Sequence, residues 1–370
     1  MNFRENLSDD FLKSIVLRKE LMVMSAEYSA ISAKLKAMHS KFLTKDDYEQ
    51  LMTKTSIGEV CAYLKSLPAY SEVLSGVNEK AIHRGEMELL VSSEIIDEYL
   101  RLYEFLDSSK REILKFWFMR REILFLTREL RHIFTHETTS VDGIGKNSLD
   151  AFLETHTKID RELMLNASSL ADCIEACKDT PYAVPLKRAQ SLGSDFFSVV
   201  MILELFYYTS IWHTVNRRLE KNQADLFKKS LGTKIDALNI LWIYRGKKYY
   251  NFDDEIIFTY LIPIRYRLTE DMIKEMVRAE KIEAFIDAVS KTKYSMLFDG
   301  IDDGIFPEEN YNSLIYDTNK KIFFNHPKSL IAVYTYLDLR ETELNNIKTV
   351  VEGIRYKKSP DAIRPHIHVD

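Results

Sequence analysis

A helical segment that ends in tyrosine recurs three times along the chain, and this repetition is the feature that most constrains the fold. The three tyrosines, Tyr70, Tyr182 and Tyr294, are separated by 112 residues in each case. The segments that they close read SIGEVCAYLKSLPAY (56–70), SLADCIEACKDTPY (169–182) and KIEAFIDAVSKTKY (281–294). Three copies at one spacing indicate an internal repeat, so the chain is expected to fold as three similar units.

The stretch that leads into the first and third copies is also repeated. LTKDDYEQLM (43–52) and LTEDMIKEMV (268–277) both begin with Leu-Thr and continue with acidic residues. Thr44 can accept a hydrogen bond as a helix N-cap, and acidic side chains in the first turn favour the positive end of the helix dipole. Both stretches therefore predict the start of a helix.

A second element recurs once per unit, and we call its copies the signature segments. They are REILFLTREL (121–130), DALNILWIYRGKKY (236–249) and ELNNIKTVVEGIRY (343–356), which align on Ile123, Ile240 and Ile347. In the last two copies an acidic residue stands three positions before an asparagine, and a glycine stands seven positions after that asparagine. These residues are Asp236, Asn239 and Gly246 in one copy and Glu343, Asn346 and Gly353 in the other.

The spacing within the signature segments predicts their roles. The acidic residue and the asparagine share a helix face, where we expect them to hold neighbouring helices by hydrogen bonds. The glycine suits the C-terminal end of the helix. In this alignment the first copy differs, because Glu122 stands at the asparagine position.

Glycine and proline are scarce, which favours an all-α fold. The 11 Gly and 8 Pro make up about 5% of the chain, against roughly 12% in average usage. With so few turn formers, the chain must run in long elements joined by short links, as helical proteins do. A length of 370 residues also exceeds what one hydrophobic core usually serves, which agrees with several units.

The most apolar stretch, FFSVVMILELFYYTSIWHTV (196–215), is long enough to cross a membrane, since twenty helical residues span roughly 30 Å. Glu204 lies near its middle, and a charged residue there costs about 2.5–3.5 kcal/mol on insertion scales. Comparable long segments in the other units, such as MELLVSSEIIDEYLRLYEFL (87–106), carry several more charges. We therefore predict a buried helix of a soluble fold, in which Glu204 has a partner.

Charge and cysteine content exclude several other classes. A net charge of −5 offers no electrostatic footprint for nucleic acid. Three cysteines, an odd number, and the lack of a signal-peptide pattern after Met1 indicate a reducing cytosol.

Candidate chemical sites are weak, and we expect no catalytic residue, cofactor or metal. VDGIGKNS (141–148) lacks the spacing of a phosphate-binding loop. Cys173 and Cys177 lie one helical turn apart, but without further ligands we interpret them as buried hydrophobic residues. His366 and His368 belong to a C-terminal tail that we expect to be frayed.

Five basic residues follow the second and third signature segments. They are Lys247, Lys248, Arg355, Lys357 and Lys358. They could face acidic partner surfaces or lipid headgroups, or they could simply complement the negative ends of their helices. The sequence leaves both alternatives open.

The repeated elements resemble a known family. The N-terminal YSAISAKLKAMHSKFLTKDDYEQLMTKTSIGEVCAYLKSLPAY, the internal DALNILWIYRGKKY and the C-terminal ELNNIKTVVEGI are similar to the C subunit of bacterial and archaeal V-type (A/V-type) ATPases, whose eukaryotic counterpart is the d subunit. The similarity covers about residues 27–358. Two features differ from the family: a longer stretch before residue 27, and Glu122 where asparagine is expected.

This resemblance implies a funnel-shaped, all-helical protein of three similar repeats about a pseudo-threefold axis. Its implied boundaries are an N-terminal helical extension (1–26), three repeats (27–118, 119–231 and 232–340) and a closing signature helix with the C-terminal tail (341–370). It implies a non-catalytic rotor subunit, peripheral to the cytoplasmic face of the membrane, which acts as a socket between central-stalk subunits and the proteolipid ring. It would link ATP hydrolysis or synthesis to H⁺ or Na⁺ transport, with no cofactor, small-molecule substrate or nucleic acid.

Two alternatives remain from the residues alone. A free-standing cytosolic helical-repeat adaptor would show the same repetition without any rotary motor. An enzyme would need a pocket that joins residues such as Glu204 and His213.

Overall fold

The computed structural model describes residues 28–108, 110–135, 156–301 and 306–369. Within these ranges the regular elements are all helical and no strand occurs, so the prediction of an all-α fold is confirmed. The predicted N-terminal extension (1–26) and the stretch at 141–148 lie outside the described residues.

The helices follow one another with short connections over most of the described chain. In chain order they are α1 (28–39), α2 (Lys45–Met52), α3 (Ile57–Ser66), α4 (Arg84–Phe105), α5 (Arg111–Thr135), α6 (Arg161–Leu165), α7 (Leu170–Ala176), α8 (Ala183–Ser191), α9 (Phe196–Arg218), α10 (Lys221–Arg245), α11 (Asp254–Tyr260), α12 (Glu270–Arg278), α13 (Ile282–Ser290), α14 (Pro307–Asn325), α15 (Leu330–Arg355) and α16 (Pro360–Ile363). A π-helical turn, Gly246–Tyr250, extends α10.

Side-chain caps set where the short helices begin. Thr44, Asp160 and Thr269 precede α2, α6 and α12, and each accepts a hydrogen bond from the backbone N–H three residues later, at 3.2, 3.0 and 3.2 Å. The predicted cap at Thr44 is therefore confirmed. Asp160 is the N-cap that corresponds to Thr44 and Thr269, and the Leu-Thr pattern did not reveal it. Each of the three long signature helices is thus matched by a capped short helix.

Helix α15 is the centre of the packing. It contacts α2, α3, α4, α5, α10, α14 and α16. Its first seven residues, 330–336, are all buried, as is most of the rest of its length. A helix that is buried on most sides belongs to the core of a large protein. The last long helix of the chain therefore organises elements from both its N-terminal and its C-terminal parts.

The apolar stretch forms α9, and its charged residue has a partner as predicted. Glu204 pairs with Arg120 of α5. The helix is less buried than we expected, because only 33% of its most apolar 18-residue window lies inside the fold. Among the described residues it is the one helix long and apolar enough to span a membrane, which is weak evidence, since core helices of soluble proteins pass the same test. One face of α9 packs against α5, α8 and α10, and the rest is half-buried or, towards the C-terminal end, exposed.

The two signature glycines lie at the C-terminal ends of their helices, as predicted, but neither has a left-handed conformation. Gly246 caps α10 with ordinary right-handed helical angles, and Gly353 lies in the last turn of α15. The left-handed residues that follow these helices are Asn251 (φ 49°) and Lys357 (φ 53°). Both glycines instead permit close packing: a Cβ on Gly246 would lie 3.1 Å from Cγ1 of Ile257.

The contact is tighter at Gly353. A Cβ there would lie 2.5 Å from Cγ1 of Ile363, which is closer than carbon atoms approach. Gly353 therefore lets α16 rest directly on α15.

We predict that Gly353→Ala lowers the free energy of unfolding by about 1–3 kcal/mol, because the added methyl group overpacks the contact with Ile363. Urea denaturation checks this. In an Ile363→Ala background, Gly353→Ala should cost less stability than it does in the wild type, since the colliding atoms are gone. Gly76→Ala is the matched control, because a Cβ on Gly76 meets nothing within 4 Å. A Gly353→Ala variant as stable as the wild type would contradict the close-packing role.

Candidate functional site

Each of the three repeated tyrosines donates a hydrogen bond to a carboxylate on a long helix. The bonds run from Tyr70 to Glu343 (2.7 Å), from Tyr182 to Glu122 (2.6 Å) and from Tyr294 to Asp236 (2.8 Å). All six residues are buried. We call these pairs, with the other groups that bind the same carboxylates, the tyrosine–carboxylate clusters. They join the two kinds of repeated element found in the sequence.

The cluster at Asp236 fixes the turn before α12. The backbone N–H groups of Tyr266, Arg267 and Leu268 donate to its carboxylate at 3.2, 2.6 and 3.1 Å. With the hydroxyl of Tyr294, the carboxylate has four donors. Asp236 is fully buried, and a carboxylate is tolerated there because hydrogen bonds replace its hydration.

The cluster at Glu343 joins the two ends of the described chain. Its carboxylate accepts a 2.8 Å hydrogen bond from the backbone N–H of Leu43, 300 positions away. It also pairs with Arg340, one turn earlier on α15. The Arg340 guanidinium donates to the Tyr70 hydroxyl at 3.1 Å and to Glu98 on α4 at 3.1 Å. The first unit is thus tied to the last long helix.

The cluster at Glu122 has the same plan with a different donor. The hydroxyl of Thr157 donates to the carboxylate. Thr157 in turn accepts from the backbone N–H of Ile159 at 3.1 Å, directly before the cap of α6. A side-chain hydroxyl here does what backbone N–H groups do in the other two clusters.

These contacts correct our alignment of the first signature segment. Glu122 makes the contacts of Asp236 and Glu343, so it occupies the acidic position and not that of the asparagine. The alignment on Ile123 was displaced by three residues, about one helical turn. With the displacement removed, Phe125 stands where the other copies have asparagine.

The two signature asparagines share one geometry. The Asn239 side chain accepts from the backbone N–H of Ile262 at 2.9 Å and donates to its carbonyl at 3.1 Å. Asn346 does the same with His368, at 3.1 and 2.8 Å. Each amide satisfies both backbone groups of one residue in a connecting segment.

The C-terminal tail is therefore docked, and our expectation that it is frayed is wrong. Besides the backbone bonds of His368, the Nδ1 atom of His366 lies 3.0 Å from the carboxylate of Glu309 on α14. Both histidines line one cavity between α14 and α15, and the described residues contain no group of three or more possible metal ligands.

Burial governs the electrostatics of the clusters. It raises the pKa of Glu122 and of Asp236, while the hydrogen bonds that each carboxylate accepts act in the opposite direction. Burial also raises the pKa of Tyr182 and Tyr294, and the neighbouring carboxylate adds to the effect. The phenols are therefore protonated donors at neutral pH.

The five basic residues differ in how accessible they are. Lys247 is half-buried and lies 3.5 Å from Asp254. Lys248 is exposed but donates to the hydroxyl of Tyr244 at 2.6 Å. The remaining three, Arg355, Lys357 and Lys358, are exposed beyond α15.

The structure offers little support for an enzymatic site. Cys173 and Cys177 are fully buried, and burial raises the pKa of each thiol to about 12. Glu204 is paired with Arg120, and His213 is exposed nine positions further along α9, about 13.5 Å along the helix axis. These two residues therefore do not form a common pocket.

Sequence reasoning missed two charged residues of the Glu343 cluster. Arg340 is 1% exposed, and Glu98 accepts from it and, at 2.8 Å, from the hydroxyl of Tyr336. A signal was present: Arg340 lies three positions before Glu343 on the same helix face, and Glu98 interrupts an apolar face of α4. Spacing alone could not reveal that the two meet.

Comparison with known proteins identifies a family that spans most of the chain. The ATP synthase (C/AC39) subunit family matches residues 31–366. The chain belongs to this family. The resemblance inferred from the repeated segments is therefore confirmed.

Relatives in the family share low sequence identity over nearly full length. The C subunit of the A-type ATP synthase of Methanobrevibacter smithii is 21% identical, over 90% of this chain and 86% of the relative. Its equivalent in Methanosarcina acetivorans is 22% identical, over 93% and 94%. The equivalent in Methanocaldococcus jannaschii is 20% identical, over 95% and 88%.

We predict that Asn239→Ala lowers the free energy of unfolding by about 1–3 kcal/mol, because the buried backbone N–H of Ile262 loses its acceptor. The Ile262 carbonyl still accepts from the N–H of Ile264. Chemical denaturation measures the loss. Asn345→Ala, at an exposed position of the third signature helix, should stay within about 0.5 kcal/mol of the wild type. Unchanged stability of Asn239→Ala together with lost assembly would assign Asn239 to an interface instead.

The raised pKa of Glu122 predicts a pH dependence. Its folded-state pKa lies above the ordinary value of 4.5, so the folded chain binds this proton more tightly than the unfolded chain. As pH rises above about 4.5, the wild type should therefore lose stability relative to Glu122→Gln. Denaturation of both proteins at several pH values between 4.5 and neutrality, a window that follows from the direction of that shift, tests this.

Glu59→Gln provides a control of opposite sign. Hydrogen bonds from Thr55 lower the pKa of the exposed Glu59, so the wild type should gain stability relative to this variant as pH rises towards 4.5, with little further gain above that value. Parallel pH profiles for wild type and Glu122→Gln would show that Glu122 does not titrate differently on folding.

Proposed function

We propose that this chain is a non-catalytic central-stalk subunit of a rotary ATPase. It acts as a socket that couples the central stalk to the membrane proteolipid ring. It lies peripherally on the cytoplasmic face of the membrane and links ATP hydrolysis or synthesis to H⁺ or Na⁺ transport. Membership of an ATP synthase subunit family supports assembly into such a complex.

The observation that carries the proposal is that Glu343, near the end of the described chain, contacts residues near its start. Glu343 accepts hydrogen bonds from Leu43 and Tyr70, so its tyrosine–carboxylate cluster is built from both ends of the described chain. The three clusters share one arrangement, and the Glu343 cluster connects the last long helix to the first unit. Together they support three similar units around a pseudo-threefold axis. A socket for a rotating shaft needs such a continuous arrangement around an axis.

The same contacts support the proposed unit boundaries. Signature segments open the second unit (119–231) and the third (232–340), and each binds the tyrosine of its own unit. The first unit (27–118) is completed by the closing segment (341–370), which supplies Glu343. On this proposal the first unit is completed by a segment that follows the third unit in the sequence.

Stiffness is the physical property that a torque coupler needs. Torque on one unit must reach the others without opening the contacts between them. Buried hydrogen bonds between distant parts of the chain, within closely packed helices, resist such opening because each broken bond leaves an unsatisfied buried group. The clusters therefore act as structural joints in the proposed socket.

We predict which proteins co-purify with the chain. The chain is tagged in its native cells, membranes are solubilised in mild detergent, and co-purifying proteins are identified by mass spectrometry. The proposal expects the rotor-ring proteolipid together with central-stalk subunits. Recovery of soluble proteins alone would favour the free-standing helical-repeat adaptor.

The exposed basic residues give this experiment a second arm. Lys248, Lys357 and Lys358 are changed together to Glu, and Lys328→Glu, also an exposed lysine, is the control. Reduced recovery of partners with an unchanged melting temperature would assign the three lysines to an interface. Unchanged recovery would leave them as complements of the helix ends, and the socket proposal would still rest on the wild-type result. Lys247 is left unchanged because it is half-buried beside Asp254.

A further inference from the structure

A small cavity of about 290 Å³ lies where α4, α5 and α15 meet. Its polar lining comes from Glu88 and Ser92 on α4, Trp117 and Arg121 on α5, and Lys348 on α15. None of these residues belongs to the tyrosine–carboxylate clusters. The cavity thus lies apart from the contacts that define the three units.

Two hydrogen-bond donors in this lining have no acceptor. Trp117 is 3% exposed, and its Nε1 atom has no hydrogen-bond partner in the part of the chain that the structure describes. The Nε atom of Arg121 is also buried, and it too has no hydrogen-bond partner among the described residues. Buried donors without partners are rare in native proteins, so each one calls for an explanation.

The position of the indole is well defined. The ring of Tyr99 stacks on it with centroids 4.6 Å apart, and the Arg121 guanidinium lies 4.4 Å from the indole centroid. These contacts hold Trp117 and Arg121 together in the cavity wall. The two unpartnered donors are therefore part of an ordered surface.

One of the cations that line the cavity has no ion-pair partner among the described residues. Arg121 pairs with Glu341, and Glu88 pairs with Arg84. Lys348 has no ion pair within the described ranges. Burial lowers the pKa of Lys348, the cations Arg121 and Arg84 act in the same direction, and the carboxylates of Glu88 and Glu341 act against it.

We propose that this cavity binds a small oxyanion, a phosphate or carboxylate group, between Lys348, Arg121 and Trp117. The ammonium supplies the charge, and the indole and guanidinium N–H groups donate to the oxygen atoms. All three are donors at neutral pH, which suits an acceptor-only ligand. The proposal does not depend on the role of the chain in a rotary complex.

The size and the remaining lining restrict the ligand. Ligand cavities usually measure about 300–1,000 Å³, so this one, at about 290 Å³, is suited to a small anion. Apolar side chains, including Ile95, Ile96 and Leu344, form the rest of the wall. Hydrogen bonds to a charged group are stronger in such surroundings than in water. A bound anion would link α15 to α4 and α5.

Binding of inorganic phosphate to the purified full chain tests the proposal. Isothermal titration is carried out at constant ionic strength, with chloride replaced by phosphate or, in a second series, by acetate. We expect one saturable site and a matching rise in melting temperature. Lys348→Met should weaken binding by about tenfold or more, because it removes the charge. Lys328→Met, at an exposed lysine outside the cavity, should bind like the wild type.

Trp117→Phe gives a second readout that keeps the aromatic packing. It should weaken binding and abolish any anion-dependent change in tryptophan fluorescence. Saturation by phosphate alone or by acetate alone would distinguish the two ligand chemistries. The proposal is overturned if neither anion binds saturably, or if Lys348→Met and Trp117→Phe both bind as tightly as the wild type. Should Lys348→Met fail to fold, Trp117→Phe decides.

Discussion

The buried hydrogen bonds of Glu343 to Tyr70 and to the backbone of Leu43 hold the two ends of the described chain together. The entropy cost of closing a long loop grows only slowly with its length, so a contact across 300 positions is tolerated when it is well packed. The carboxylate is tolerated at 4% exposure because Arg340, Tyr70 and Leu43 supply charge and donors. In the proposed division into units, these contacts give the first unit the long helix that the other two units contain in continuous sequence.

The three clusters solve the same packing problem with different groups. Each needs donors for a carboxylate that leaves water when a short capped helix packs on a long one. Asp236 has the shorter side chain, and the backbone of residues 266–268 comes close enough to donate to its carboxylate. Gly232, one turn earlier on α10, permits this approach, since a Cβ on it would lie 2.6 Å from Cβ of Tyr266. Glu122 has the longer side chain and is met by the hydroxyl of Thr157.

Family membership and cluster geometry bear on function at different levels. The match over residues 31–366 relates the chain to ATP synthase subunits, although the three relatives described above are only 20–22% identical to it. At such identity the surface can differ widely while a buried joint persists, because a buried donor or acceptor that loses its partner is costly. Two of the buried side-chain atoms that lack a hydrogen-bond partner among the described residues, Nε1 of Trp117 and Nε of Arg121, belong to residues that line one cavity with Lys348.

The sequence by itself determined the all-helical class, the threefold recurrence, the family and the identity of the tyrosines and carboxylates, because scarce turn formers and a fixed repeat spacing are properties of the chain alone. It could not pair Tyr70 with Glu343, since nothing local relates residues so far apart. Its alignment of Glu122 was displaced by one turn, because helix positions three apart share a face and apolar patterns match nearly as well there. The roles of Gly353 and of the C-terminal tail also depended on tertiary structure: steric contact and backbone pairing arise only between elements that the fold brings together.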